Sequence, residues 1–437
     1  MERVGILGAL EKADRIRQIA ASNPMDRVAI LRFLLAVLYW CKGNPDGPPV
    51  SSLPAEWFSR LNDNTDCFNL LGGGKRFYQY GGGGEKLSAN YLMQEVPTGT
   101  NCSHFRHSTD GIDGLCPACC AMGLLRLPLF ATSGGRGKPP GVNAKPPIYA
   151  IPIGASLAET LLLSWQKTDL LGKPFWEQSA SRLPNEVPLL TGLTWVPRRV
   201  WLDEPSEPIS ACDSCGRLDQ LVRLSVFAPI GSQKAAENEQ ARVWRDPHVI
   251  YDTSDQSLHA ASALGAPDAA AGQWTRIICG IPREQRTDHR AWVVGFATVQ
   301  NDKYLEAMEY LIPLSSSIDE IEPLVTIEQW SKETRKIASR CRPQGSPSSR
   351  KHVEIEPAIA AIRPHVEGRV SANVSELLQG EDAAWQQAAA EYGPMMKVIA
   401  KSLSPGFTTA ALRWRRQIEG TLPRMPRRAT DGKGEDK

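Results

Sequence analysis

Cys116-Pro-Ala-Cys119 and Cys212-Asp-Ser-Cys215 are two Cys-x-x-Cys pairs separated by residues 120–211. A two-residue spacing brings two thiolates onto one tight turn, which is half of a tetrahedral zinc site. Two such halves make a closed all-cysteine site with no position left for water, so a metal held there ties together two distant segments and does not activate a nucleophile. The alternative is four unrelated buried thiols. Cys102 and Cys120 are nearby substitutes, and His104 and His107 could also act as ligands. A redox role would need only one pair.

The remaining candidates are weaker taken singly. Residues 131–147 hold four glycines, four prolines, Arg136, Lys138 and Lys145. Such a loop can bring backbone close to a groove or phosphate under a favourable field, or can be a plain surface connection. It lacks the GxxxxGK[ST] order of a nucleotide-binding P-loop. Gln300 falls in a polar turn after the apolar run Ala291 to Thr298, ahead of a helix expected to begin near Lys303. Arg413, Trp414, Arg415 and Arg416, with Arg424, Arg427 and Arg428, can meet phosphate or form a solvated helix face. No HExxH, HNH-type, GxSxG or paired-carboxylate arrangement is present, and the seven histidines are scattered.

Positioning these groups takes more than one core, because 437 residues exceed an ordinary single domain. Fifty Lys and Arg against 48 Asp and Glu give a net charge of +2, which excludes a generally basic nucleic-acid coat. Any polyanion must meet local patches. The N-terminus runs into an amphipathic helix without a signal peptide, so ten cysteines point to a reducing cytoplasm and metal binding. Val28 to Trp40 is apolar but too short to span a bilayer, and reads as a buried helix.

Residues 4–42 predict two helices, with Ile16, Ile19 and Ala20 on one helical face. Residues 43–99 predict irregular, turn-rich chain. Ile148 to Ile153 reads as a strand and Leu157 to Trp165 as a helix, while Val187 to Leu202 and Leu221 to Phe227 read as strands flanking the second cysteine pair. Beyond about Glu320 the periodicity is helical throughout. The expected class is α+β: a mixed α/β body over residues 1–315 with a structural zinc site, then a C-terminal four-helix bundle over 316–426. Residues 427–437 are read as a polar, disordered tail.

Thr100-Asn101-Cys102, the Cys116 pair, the glycine-rich loop, Gly192-Leu-Thr-Trp-Val-Pro197, the Cys212 pair and Gly295 to Gln300 form an ordered series. In order and spacing this series resembles the large subunit, CasA, of the type I-E CRISPR surveillance complex Cascade. The resemblance covers nearly the whole chain. It implies a non-enzymatic subunit that reads the protospacer-adjacent motif in duplex DNA, starts strand separation and helps recruit a helicase-nuclease. It also implies crRNA and the other Cascade subunits (backbone, handle-end and small) as partners, and no membrane.

By the same resemblance, Gly134, Gly135 and Gly137 enter the minor groove, flanked by Arg136 and Lys138. Lys234 is the nearest counterpart of a motif-reading lysine. Gln300 matches a strand-separating wedge. Thr100, Asn101 and Cys102, with His104 or Phe105 as the stacking residue, match the segment that contacts the crRNA 5′ handle. Three departures stand out: Val299 replaces a polar residue before the wedge, the family's short N-terminal strand is expected to be missing, and the C-terminal bundle reads as short. Two other classes compete, a zinc-containing nuclease and a stand-alone nucleic-acid-binding scaffold. Metal-dependent DNA cleavage would favour the first, and tight nucleic-acid binding without partners the second.

Overall fold

The computed structural model describes residues 4–43, 52–94, 113–131, 141–142, 147–178, 183–184, 186–229, 245–252, 259–260, 290–299 and 303–313. The chain divides into two compact units, Met1–Ala263 with His289–Leu311, and Leu264–Asp288 with Ile312–Lys437. The described residues belong to the first, apart from Ile312 and Pro313. The helical bundle expected over 316–426 and the tail over 427–437 lie outside the described residues.

The core forms around one helix. After α1 (Ile6–Glu11), α2 (Pro24–Lys42) starts at Asn23, whose side chain accepts the Met25 N–H at 2.9 Å, with Pro24 in the first turn. It ends at Gly43, whose φ of 70° is the left-handed stop that glycine adopts without strain. Between these caps Leu31 to Trp40 are all buried. The apolar run is therefore a core helix surrounded by protein. Phe33 and Trp40 pack edge-on against Phe68 and Trp176, which brings residues remote in sequence onto this helix.

Short elements follow. Helix α3 (Ser59–Asp63) lies between helical turns at Ala55–Phe58 and Thr65–Phe68, and β1 (Glu85–Ser88) leads into another turn at Ala89–Leu92. Residues 52–94 are thus more regular than their glycine content predicts. Next come α4 (Pro117–Phe130), β2 (Tyr149–Ile153), α5 (Leu157–Leu163) and α6 (Leu189–Thr194). The strands are β3 (Arg198–Leu202), β4 (Ser206–Ala211), β5 (Leu218–Leu221), β6 (Leu224–Pro229), β7 (Tyr251–Asp252), β8 (His259–Ala260), β9 (Arg290–Val299) and β10 (Lys303–Pro313). They form sheets β1-β6-β3 and β10-β9-β2 and the hairpins β4–β5 and β7–β8.

Three expectations are corrected. Ile16, Ile19 and Ala20 do not continue a helix: α1 ends at Glu11, and the carbonyls of Ala13 and Ile16 accept the N–H groups of Ala158 and Leu157 at 3.0 and 2.7 Å. Those carbonyls serve the first turn of α5, whose orphan donors need partners. Residues 187–202 are not one strand, since α6 precedes β3; the Thr194 hydroxyl donates to the Leu190 carbonyl at 2.8 Å. Nor does a helix begin near Lys303. Strand β9 pairs with β2 along one edge, Tyr149 opposite Val294 and Ile153 opposite Arg290, and β10 satisfies its other edge.

A buried ion pair locks α2 to the chain that crosses it. Arg32 Nε donates to Asp246 at 2.7 Å, with both side chains almost fully enclosed, and its terminal nitrogens donate to the carbonyls of Leu193 and Gly192 at 2.5 and 3.1 Å. Beside it, both ring nitrogens of His248 are buried without hydrogen-bond partners. Burial drives this imidazole down to about 4, with Asp246 opposing and Arg32 reinforcing the shift.

The unfolded chain therefore takes up a proton between about pH 6.5 and 4 that the folded state refuses. Stability is expected to fall as pH drops through that window, by up to about 3 kcal/mol from this residue. Urea titrations of wild type and His248→Leu at pH 7 and pH 4.5 check it. An equal loss on acidification in both proteins would remove His248 from the account.

Candidate metal centre and the loops it roots

The first cysteine pair opens α4: Cys116 is its N-cap and Cys119 lies in its first turn. The second pair lies in the turn from β4 to β5, where Gly216 at φ 72° accepts the left-handed bend. The two turns meet. All four Sγ atoms lie within 4.8 Å of one another, and Cys116 Sγ is 3.8 Å from Cys215 Sγ. A tetrahedron with zinc–sulfur bonds of about 2.3 Å requires sulfur–sulfur separations of about 3.8 Å, so these residues fit such an ion. Among the described residues, this is the group of cysteine, histidine and carboxylate side chains that could hold a metal.

Protein contacts weld the two halves together. Leu115 and Val222 exchange backbone hydrogen bonds of 3.0 and 2.9 Å. Asp213, inside the second turn, accepts the Gly114 N–H at 2.7 Å and the Asn90 Nδ2 at 2.8 Å, while its own N–H donates to the Gly114 carbonyl at 3.0 Å. Gly114 has φ 110°, and a Cβ there would stand 2.4 Å from the Val222 carbonyl, so only glycine fits. Spacing alone singles out none of Gly114, Asn90 and Asp213, although a glycine two positions before a cysteine pair is a readable turn signal.

The thiols are electrostatically uneven. Cys212 is held down to about 4, chiefly by the hydrogen bond from the Cys119 thiol and then by backbone N–H groups, including that of Cys116 at 3.3 Å. Cys119 is raised because it keeps the shared proton, and burial pushes Cys116 up to about 11. A dication bound among these thiols would displace their protons. Cys120, a candidate substitute, is buried with its Sγ toward the Leu115 carbonyl at 3.8 Å and stands outside the cluster.

Thr100, Asn101, Cys102, His104, Phe105, Gly134, Gly135, Arg136, Gly137, Lys138, Lys234 and Gln300 lie outside the described residues. Their neighbours along the chain are described. Residues 113–116 lead into α4, Ala131 follows it, Pro229 ends β6, and β9 and β10 flank residues 300–302.

The fold and site define a mixed α/β protein whose two cysteine turns form one four-thiol cluster with the geometry to hold a metal ion. The chain belongs to the CRISPR-associated protein Cse1 family, whose model matches residues 1–424. This is the family of the Cascade large subunit CasA that the ordered motifs resemble. Among solved structures, CasA of Thermus thermophilus superposes with a TM-score of 0.68 at 17% identity, covering 96% of this chain and 94% of that one. Cse1 of Acidimicrobium ferrooxidans gives 0.66 at 16% identity over 97% and 93%. A chain from a CRISPR RNA-guided surveillance complex gives 0.62 at 14% identity over 96% and 95%. At these identities the likeness is one of fold. No curated protein sequence gives a significant match.

Proposed function

We propose that the chain is the non-catalytic large subunit of a cytoplasmic, crRNA-guided type I-E surveillance complex. It recognises the protospacer-adjacent motif in double-stranded DNA, begins strand separation and helps recruit the helicase-nuclease. The observation that carries this reading is the Cse1 family match over residues 1–424. Among the described residues, no helix is long and apolar enough to cross a membrane.

The metal in this reading is zinc, held by Cys116, Cys119, Cys212 and Cys215, and its role is structural because four thiolates leave no open position. Bound there, the ion would supply a fixed junction between the α4 N-terminus and the β4–β5 turn. The crRNA-handle segment, Thr100 to Phe105, leads toward that junction. The loop with Gly134, Gly135, Arg136, Gly137 and Lys138 leaves the far end of α4, and Lys234 follows β6. Small residues let a loop enter the minor groove, and the flanking cations suit phosphate. Protospacer sequence is read by RNA pairing, so the protein has only a few base pairs to recognise.

Gln300 lies between β9 and β10, and the pairing of β9 with β2 roots that connection in the sheet. As a wedge it replaces stacking between adjacent base pairs, a cost of a few kcal/mol offset by protein contacts. In the assembled complex, Gln300→Ala is expected to slow opening of a matched target about tenfold or more, on the basis of that unstacking cost, while motif-bearing duplex still binds. Permanganate reactivity of the opened strand and a gel-shift titration separate the two effects. Parallel losses in both assays would remove Gln300 as the wedge. Failure of the chain to join a crRNA-containing assembly would overturn the whole reading.

A further inference from the structure

The β4–β5 hairpin turns an apolar face away from the body. Its register sets Ala211 opposite Leu218 and Ser210 opposite Asp219. Strand alternation then puts Ile209, Ala211, Leu218 and Gln220 on one face, and Ser210, Asp219 and Leu221 on the other. Burial follows the same division: Leu221 is buried and Ser210 and Asp219 half-buried, while the opposite face is exposed. Leu218 at 71% and Ile209 at 60% are the most exposed large apolar side chains among the described residues. One such residue on a surface is ordinary, but two on one face of a short hairpin mark a contact surface.

The face is held rigid. Asp213 anchors the hairpin turn to Gly114 and Asn90, Arg223 bonds the carbonyls of Asp113 and Pro208 at 2.9 and 3.5 Å, and Gln220 donates to Glu207 at 2.6 Å. A surface fixed before binding loses little freedom when it is covered. Its charge is predominantly negative. Residues 203–221 carry Asp203, Glu204, Glu207, Asp213 and Asp219 against Arg217 alone. Lys86 and Arg76 neutralise Asp203 and Glu204, at 2.7 and 2.6 Å, which leaves Glu207, exposed on the same strand as Ile209, with the half-buried Asp213 and Asp219 against Arg217. An acidic, apolar surface repels a phosphate backbone and suits apolar groups framed by lysine or arginine.

We infer that this hairpin face docks a protein subunit of the surveillance complex, through an apolar surface on that subunit rimmed by basic residues, and does not touch nucleic acid. The inference rests on the proposed function and assigns one surface within it. The test uses the full chain, wild type and Ile209→Ser/Leu218→Ser, titrated onto the crRNA-loaded assembly of its cognate subunits and, separately, onto duplex DNA alone. The double variant is expected to bind the assembly about tenfold or more weakly, as for loss of a central apolar anchor, with metal content, melting temperature and duplex affinity unchanged. Glu207→Lys, which leaves both apolar residues in place, is expected to weaken the same interaction and make it less sensitive to salt. Undiminished binding of the double variant overturns the inference while leaving the proposed function intact. So does a loss confined to duplex DNA, or wild-type self-association that the double variant abolishes. A wild-type chain that fails to join the assembly overturns both.

Discussion

Cys212→Ser is expected to release the metal and to destabilise the body by about 5 kcal/mol or more, since binding at a structural site of this kind is itself folding free energy. Cys212 belongs to the four-thiol cluster, and its Sγ also accepts the Cys116 N–H at 3.3 Å. Serine offers a poor ligand to a dication in its place and leaves three thiolates to share a site shaped for four. Cys120→Ser is the control, being buried one residue beyond the first pair but outside the cluster. Elemental analysis should find about one metal ion per wild-type and Cys120→Ser chain, and well under one for Cys212→Ser. Retention of a full equivalent by Cys212→Ser, or a wild-type chain that folds equally well without metal, would end the structural-metal argument.

Arg32→Met is expected to cost about 3–5 kcal/mol, because it strands a buried carboxylate without its cation. The loss has two parts. Asp246 loses the donor at 2.7 Å in a setting where neither side chain is more than 2% exposed. The carbonyls of Leu193 and Gly192 lose their donors as well, which loosens the chain leaving α6 toward β3. Replacing both partners, as Arg32→Met/Asp246→Leu, should cost less than the sum of the single changes, since no uncompensated charge then remains. Urea denaturation of the four proteins closes the cycle. A single variant that loses under about 1 kcal/mol would mean that water reaches the pair, and an additive cycle would mean that the two charges do not interact.

The cysteine cluster is legible in the sequence because its information is local. A two-residue spacing constrains two thiols to one turn, and the same chemistry repeated once leaves few explanations. The buried helix α2 is legible for a similar reason, with Asn23-Pro24 at its start, Gly43 at its end and between them the apolar run from Val28 to Trp40, interrupted by Arg32. The ion pair is not legible, because Arg32 and Asp246 stand 214 positions apart and are joined only by the fold.

The misread elements share a cause. Leu305, Met308 and Leu311 recur at helical spacing, yet β9 presents an open hydrogen-bonding edge and the chain lies down along it as β10. Ile16 and Ile19 have helical spacing too, but the carbonyls near them serve α5. Backbone satisfaction by a distant element outweighs local periodicity in both places. The loops proposed to touch nucleic acid carry even less local signal. Their meaning comes from their order along the chain beside the cysteine pairs.

Cys116 and Cys212 stand 96 positions apart, and their thiols finish in one cluster. At ordinary translation rates of about 5–20 residues per second, roughly 5–20 s separate the synthesis of the two halves. Through that interval the first pair has only half of the four-thiol set. The segment with Asp246 arrives later still, so Arg32 waits longer for its counter-charge than Cys116 does for Cys212. The order of synthesis thus sets the order in which partners become available: the four cysteines first, Asp246 for Arg32 second, and β9 for β2 last.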